Sequence, residues 1–302
     1  MKPIWLYICC IAGLVALCRC SQRTIVQQSS LPPPSSPATP SAKVLLGEQP
    51  RSAFDQLPFK HWFDSIYHGY AANPALLKNA WTDEQVDVFM GTWCGDSRRE
   101  VPQFLKIMDS LGIPPQKVRI ICTKSGNPGH KTSPGREEQG LYIFRVPTFI
   151  VRKNGKEIGR IVEFPVQSLE KDLLAIISGQ PYEPNYAAGD RLRRMLEVKS
   201  PGMLDEQLSA VAEKVRSASK HDGELNGFGA VLLSAGDMEH AITAFRVNTA
   251  LYPANPDVWG WLAEGYRRNH DNEKAVAAYR KLLELSPGME MAQLRLDSLK
   301  AL

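Results

Sequence analysis

An almost unbroken apolar run from Ile4 to Leu17 opens the chain, behind the basic Lys2 and ahead of Arg19 and a polar stretch. A bilayer span takes ~20 apolar residues, and this shorter run suits the hydrophobic region of an export signal. The pattern then lapses. Ser29 to Ala42 reads SSLPPPSSPATPSA, ten of fourteen residues being Ser or Pro. Such a segment buries too little apolar surface to order itself, and its prolines stiffen it. Periodicity returns at Phe59, Trp62, Phe63, Ile66, Tyr67 and Tyr70, which predict a first amphipathic helix. Val86 to Met90 predicts a strand, and Val101, Phe104, Leu105, Met108 and Leu111 mark the buried face of a second helix, kinked by Pro102. A further strand is expected over Val118 to Cys122, followed by a Gly/Pro-rich stretch from Ser125 to Gly140. Thr148 to Val151 and Lys156 to Val162, joined through Asn154-Gly155, predict a hairpin with a type I′ turn. Leu169, Leu173, Ile176 and Ile177 predict a closing helix.

The last third matches itself at a shift of 34 residues: Gly229 with Ala263, Leu232 with Tyr266, Asp237 with Asp271, Ala241 with Ala275, Phe245 with Tyr279 and Pro253 with Pro287. With Trp259, Leu262, Ala263, Tyr266, Ala275, Tyr279 and Pro287 in the fuller second copy, this segment resembles the tetratricopeptide repeat. That resemblance implies paired helices and contact with a protein partner, whose identity the sequence does not give. A helix carrying Leu204, Leu208, Val211, Ala212 and Val215, and the segment Met291 to Leu302, are candidate caps of the stack.

Composition narrows the function classes. The chain has 302 residues, 36 Lys+Arg against 32 Asp+Glu, and 43% hydrophobic residues, which excludes wholesale disorder and a multi-span membrane protein. Without the first twenty residues the balance is 34 against 32, too even for a nucleic-acid surface. Six cysteines suggest a disulfide framework until they are placed: Cys9, Cys10, Cys18 and Cys20 lie in the export segment, leaving Cys94 and Cys122. Cys18 and Cys20 are candidate lipidation sites, although neither follows the small residue a lipoprotein signal places there. Lipidation, cleavage and a retained anchor stay open, and membrane attachment depends on which of them holds. The Ser/Pro-rich stretch is then a spacer or a functionless tail.

The chemistry centres on Cys94. It falls where a strand ends and a helix begins, where unpaired N–H groups and the helix dipole favour a thiolate. Arg98 and Arg99 are expected to add positive charge, and Asp96 to cap the helix or tune the thiol. Trp93-Cys94-Gly95-Asp96-Ser97, Pro102 in the following helix and Val146-Pro147-Thr148 before the hairpin resemble the thioredoxin superfamily over about Phe54 to Gly179. Ser97 to Pro102 looks more like the exported, membrane-tethered bacterial reductases of that superfamily than the cytosolic ones. The resemblance implies a central mixed sheet flanked by helices, a cis-proline at Pro147, a nucleophile at Cys94, and docking of substrate by Trp93, Val146 and Thr148.

Ser97 stands where that family carries its second, resolving cysteine, and a hydroxyl cannot resolve a mixed disulfide. Cys122, at a strand end, is the internal candidate for that task, against the plainer reading of a small buried hydrophobe. The six histidines show no metal-ligand spacing, and no nucleotide-binding glycine motif appears, so neither metal nor cofactor is expected.

The expected architecture is an α/β thioredoxin-like domain followed by an all-α repeat domain. Its parts are an export segment at 1–20, a linker at 21–53, the α/β domain at 54–180, a helical connector at 181–222 and two repeats at 223–302. The expected activity is monothiol (C-x-x-S) thiol–disulfide exchange, as oxidoreductase or isomerase, on thiols and disulfides of exported envelope or periplasmic proteins. A redox-inactive binding or assembly module is the alternative.

Overall fold

A computed structural model describes residues 44–301. The export segment, the Ser/Pro-rich stretch and the candidate lipidation residues Cys18 and Cys20 lie outside the described residues.

Five strands form one mixed sheet: β1 (Gly47–Gln49), β2 (Gln85–Met90), β3 (Val118–Cys122), β4 (Thr148–Lys153) and β5 (Lys156–Val162), in the order β1-β3-β2-β4-β5. β2 and β3 run parallel, and the other pairs are antiparallel. The β4–β5 turn has Asn154 at φ 51° and Gly155 at φ 75°, as the type I′ expectation requires. Side chains alternate across the pleat. Val88, Met90, Ile120, Cys122, Phe149 and Val151 join one apolar cluster, whereas Phe89, Ile121 and Ile150 join another. The first cluster is closed by α1 (Phe59–Gly69), α2 (Gly95–Ser110) and α3 (Leu169–Ile177), through residues such as Phe63, Phe104 and Leu173. The second is covered by Ile143 and Val146 of the long β3–β4 connection, with Trp93, Cys94 and Leu141 packed against it.

β1 corrects the linker boundary. The sheet begins inside the range expected to be linker, and a 3-10 turn over Arg51–Asp55 follows, with Phe54 fully buried. Edge pairing with β3, Gly47 opposite Cys122, orders a segment whose own pattern carries no strand signal.

Eight further helices follow. They are α4 (Ala187–Leu196), α5 (Pro201–Glu206), α6 (Leu208–Arg216), α7 (Gly223–Ala235), α8 (Met238–Leu251), α9 (Pro256–Arg268), α10 (Asn272–Leu285) and α11 (Glu290–Lys300). The single helix expected around Leu204 to Val215 is two, broken at Gln207 (φ −109°, ψ 26°). α8 and α10 stand in the 34-residue relation, and each starts on an aspartate, Asp237 or Asp271, whose carboxylate accepts from the backbone N–H three residues on.

The segment expected to be a helical connector is helical and buries its apolar face in the core. Leu192, Leu204, Val211 and Val215 share one apolar cluster with Phe228, Phe245 and Tyr279 of the later helices. Phe144 and Val162 of the sheet region belong to that same cluster, so the two parts share a core. A buried charge network crosses the same boundary. Arg160 of β5 donates to Glu157 and to the Leu141 carbonyl. Arg193 of α4 reaches Glu157 at 3.4 Å and Asp190 at 2.7 Å.

Candidate functional site

The turn from β2 into α2 is fixed from below. Cys94 N–H donates to the Gly91 carbonyl at 2.9 Å, and Gly91 N–H donates to Ser97 Oγ at 3.1 Å. Ser97 is fully buried, so its hydroxyl serves as an acceptor that closes the turn. Arg98 Nε donates to the Thr92 carbonyl at 2.6 Å. A Cβ at Gly91 would lie 2.5 Å from Trp93 Cε2, so the absence of a side chain there seats the indole. The indole N–H donates to the Thr123 carbonyl at 2.8 Å, and its ring packs on His130 with centroids 5.1 Å apart.

Cys94 occupies the N-cap position of α2, half-buried, and its Sγ–H donates to the Val146 carbonyl at 3.2 Å. The Val146–Pro147 peptide bond is cis. Thr148, next along, is buried, and its hydroxyl donates to the Arg145 carbonyl at 2.7 Å. Cys94, Trp93, Val146 and Pro147 are therefore brought together at one end of the sheet. The hydroxyl of Ser97 and that of Thr148 are both spent on backbone groups.

Arg98 is turned to the Thr92 carbonyl and lies over the Trp62 ring, and Arg99 pairs with Asp96 at 2.7 Å and Glu100 at 2.6 Å. Two sequence expectations are corrected. Asp96 makes no capping bond, since Cys94 itself holds the cap position. Cys122 is a free thiol, fully buried in the cluster beneath α1 to α3, whereas Cys94 packs against the cluster on the opposite face. Burial pushes the Cys122 thiol up to about 12. Sheet parity thus removes the internal candidate for resolving a mixed disulfide.

Other residues at the site carry no sequence signature. Lys124 to Thr132 folds into a tight loop in which Lys124 N–H donates to the Thr132 carbonyl and Lys131 N–H to the Lys124 carbonyl, both at 2.9 Å. It is pinned from α7, where the Ser234 hydroxyl accepts from Gly129 N–H and His130 N–H, each at 2.9 Å. Within it, Lys131 Nζ lies 2.9 Å from His130 Nε2, and Gly126 N–H donates to His130 Nδ1 at 3.2 Å. Burial and the neighbouring Lys131 charge push His130 down to about 4. Lys131 is pushed down to about 8 by burial and by Arg145, against the opposing influence of Cys94 and Glu163. Arg145 stacks over the Tyr186 ring at 4.3 Å and sits 3.6 Å from Glu163, which accepts from the Tyr186 hydroxyl.

Two clefts lie elsewhere. One of about 460 Å³ runs between β1, α2 and β3, and one of about 380 Å³ lies among α4, α5 and α6; Cys94 lines neither. Among the described residues no group of three or more His, Cys, Asp or Glu is gathered as a metal site, and no helix is long and apolar enough to cross a membrane. No protein-family model matches the chain, and no curated protein matches it.

Proposed function

We propose that this chain is an exported, thioredoxin-like protein that carries out thiol–disulfide exchange on envelope proteins through Cys94, with tetratricopeptide-like repeats over α7 to α10 that hold a protein partner. The observation that carries the reading is the thiol at the first turn of α2. It is half-buried beside Trp93 and within bonding distance of the Val146 carbonyl, on a loop that precedes the β4–β5 hairpin. The sheet order, the proline inside α2 and the Asp237 and Asp271 helix starts support the two family resemblances.

In the step itself, the Cys94 thiolate attacks one sulfur of a substrate disulfide, a new S–S bond forms, and the other sulfur leaves with the electron pair and takes up a proton. With Ser97 spent on Gly91 N–H and Cys122 on the far face, an external thiol must attack the mixed disulfide and restore Cys94. That dependence is also what favours the alternative, a redox-inactive binding module. Incubation with oxidised glutathione separates the two. The expected product carries glutathione on Cys94, is absent in Cys94→Ser, and is cleared by added thiol. An intact protein that stays unmodified at Cys94 refutes the exchange reading.

A further inference from the structure

The cleft among α4, α5 and α6 has a charge pattern that the larger cleft beside β1 lacks. In the larger one the cations are matched, Arg51 with Asp109 at 2.6 Å and Arg119 with Glu48 at 2.9 Å. The smaller one, of about 380 Å³, is lined by Arg191, Arg194, Lys199 and Lys214 and by no acid. Arg194 is spent on Asp190 at 2.9 Å, and Arg191 meets the exposed Glu183 at 2.7 Å. Lys199 donates to the neutral Gln207 amide oxygen at 3.1 Å, and neither lysine meets an acid within ion-pair distance among the described residues. Between the cations the surface is apolar, made by Met195, Val198, Leu204, Ala210 and Val211. Val198, 79% exposed, is the most exposed large apolar side chain among the described residues.

The ends of the cleft differ. Arg191, early in α4, donates to the Lys214 carbonyl, late in α6, at 3.1 Å. Lys199, past the end of α4, reaches Gln207, just ahead of α6. The two helices therefore run antiparallel here, with Arg191 and Lys214 at one end and Lys199 at the other. An extended peptide would need main-chain partners. The carbonyls of Met195, Gln207 and Lys214 already accept from Lys199 N–H, Val211 N–H and Arg191 Nη1. A helix ~10 Å across would fill the 380 Å³ in about one turn. A second copy of this chain would set cations against cations. An alkyl chain needs no backbone partner, and the volume falls in the ~300–1,000 Å³ range of small-molecule sites.

We propose that this cleft binds a long-chain carboxylate, a fatty acid anion, with its head group at Lys214 and Arg191 and its chain along Met195, Leu204 and Val211. The Lys214 ammonium supplies a charge that no acid of the chain neutralises, and the Arg191 guanidinium adds a planar fork suited to a carboxylate. The aliphatic stems of Arg194 and Lys199 extend the apolar wall while their heads stay in water. Cys94 lines no part of this cleft, so the site is independent of the exchange chemistry.

The test is calorimetric titration of the full chain with dodecanoate, kept below the concentration at which it forms micelles. Saturable binding is expected. Decanoate lacks two methylenes, each worth about fourfold when buried, and should bind about tenfold more weakly. Lys214→Glu, at an exposed position, turns an attraction into a repulsion and should weaken binding about tenfold. Ala210→Trp, also at an exposed helix position, fills the cleft and should abolish binding, with circular dichroism reporting that the fold is kept. Dodecyltrimethylammonium, the same chain on a cationic head, should not compete. Absence of saturable binding by wild type, equal binding of the cationic amphiphile, or unchanged affinity in either folded variant overturns the proposal. Binding to phosphatidylglycerol vesicles without binding of monomeric dodecanoate also overturns it, and makes this patch a membrane-facing surface instead.

Discussion

Asp190→Ala should destabilise the protein more than any exposed charge deletion. The Asp190 carboxylate accepts from Arg193 Nε at 3.0 Å and Nη2 at 2.7 Å, and from Arg194 Nε at 2.9 Å. Both Asp190 and Arg193 side chains are only 3% exposed, so removing the acid leaves a guanidinium that water cannot reach. Orphaning one member of a buried pair costs about 3–5 kcal/mol. Arg193 retains Glu157 at 3.4 Å and Glu197, so the expected loss lies at the lower end, about 3 kcal/mol. Arg194, about half exposed, adds little. Urea unfolding of wild type, Asp190→Ala, Arg193→Met and the double variant forms a cycle. The double variant should be less destabilised than the two singles added, by ~1–3 kcal/mol, because the second deletion removes a charge already stranded. Strictly additive losses, or a single loss below ~0.5 kcal/mol, would refute the claim that this pair anchors α4 against the sheet.

Two other outcomes are expected, one from the same contacts and one from the turn before α2. Against the upward push of burial, the charges of Arg193 and Arg194 hold Asp190 below the usual carboxylate range, and bonds from Arg160 do the same for Glu157. Carboxylates held low contribute stability that is complete above their unfolded values, near pH 4, and is lost as pH falls through the folded ones. Thermal melts should therefore drop steeply below about pH 4, and less so in Asp190→Ala, whose melts should show a smaller acid-dependent component. Gly91→Ala would press a methyl into the indole of Trp93 and dislodge its bond to Thr123. An overpacking loss of ~1–3 kcal/mol is expected, with a shift in tryptophan fluorescence; an unchanged melt and spectrum would show that the indole has room to move.

Much of the fold was legible because its signals are local. The Asn154-Gly155 turn, the apolar face of α2 and the aspartates at 237 and 271 each work through neighbours a few residues away. β1 escaped notice because its three residues are ordered by pairing with β3, some seventy positions downstream. The break at Gln207 is equally silent in the periodicity, since Leu204, Leu208 and Val211 keep one apolar face across it. At the site, Cys94 was legible from the strand-to-helix pattern around it, and Trp93 and Pro147 from the family resemblance. The fate of Cys122 was decided by sheet parity, which a strand-end position alone does not settle. His130 and Lys131 had no motif to betray them. His130 lies against Trp93 on a loop that depends on a serine 104 residues away.

That serine ties the helical part to the loop that packs on Trp93. Ser234 lies at the last turn of α7, where its carbonyl and hydroxyl both accept from Gly129 N–H and its hydroxyl also accepts from His130 N–H. A partner that displaces this helix end on binding would loosen the loop that positions the ring beside Trp93. Thermodynamic reciprocity then runs both ways: whatever factor the partner applies to occupancy of the Cys94 site, occupancy of that site applies to the partner's affinity. The end of α7 and the loop packed on Trp93 are thus held through one residue, so that loosening either loosens the other.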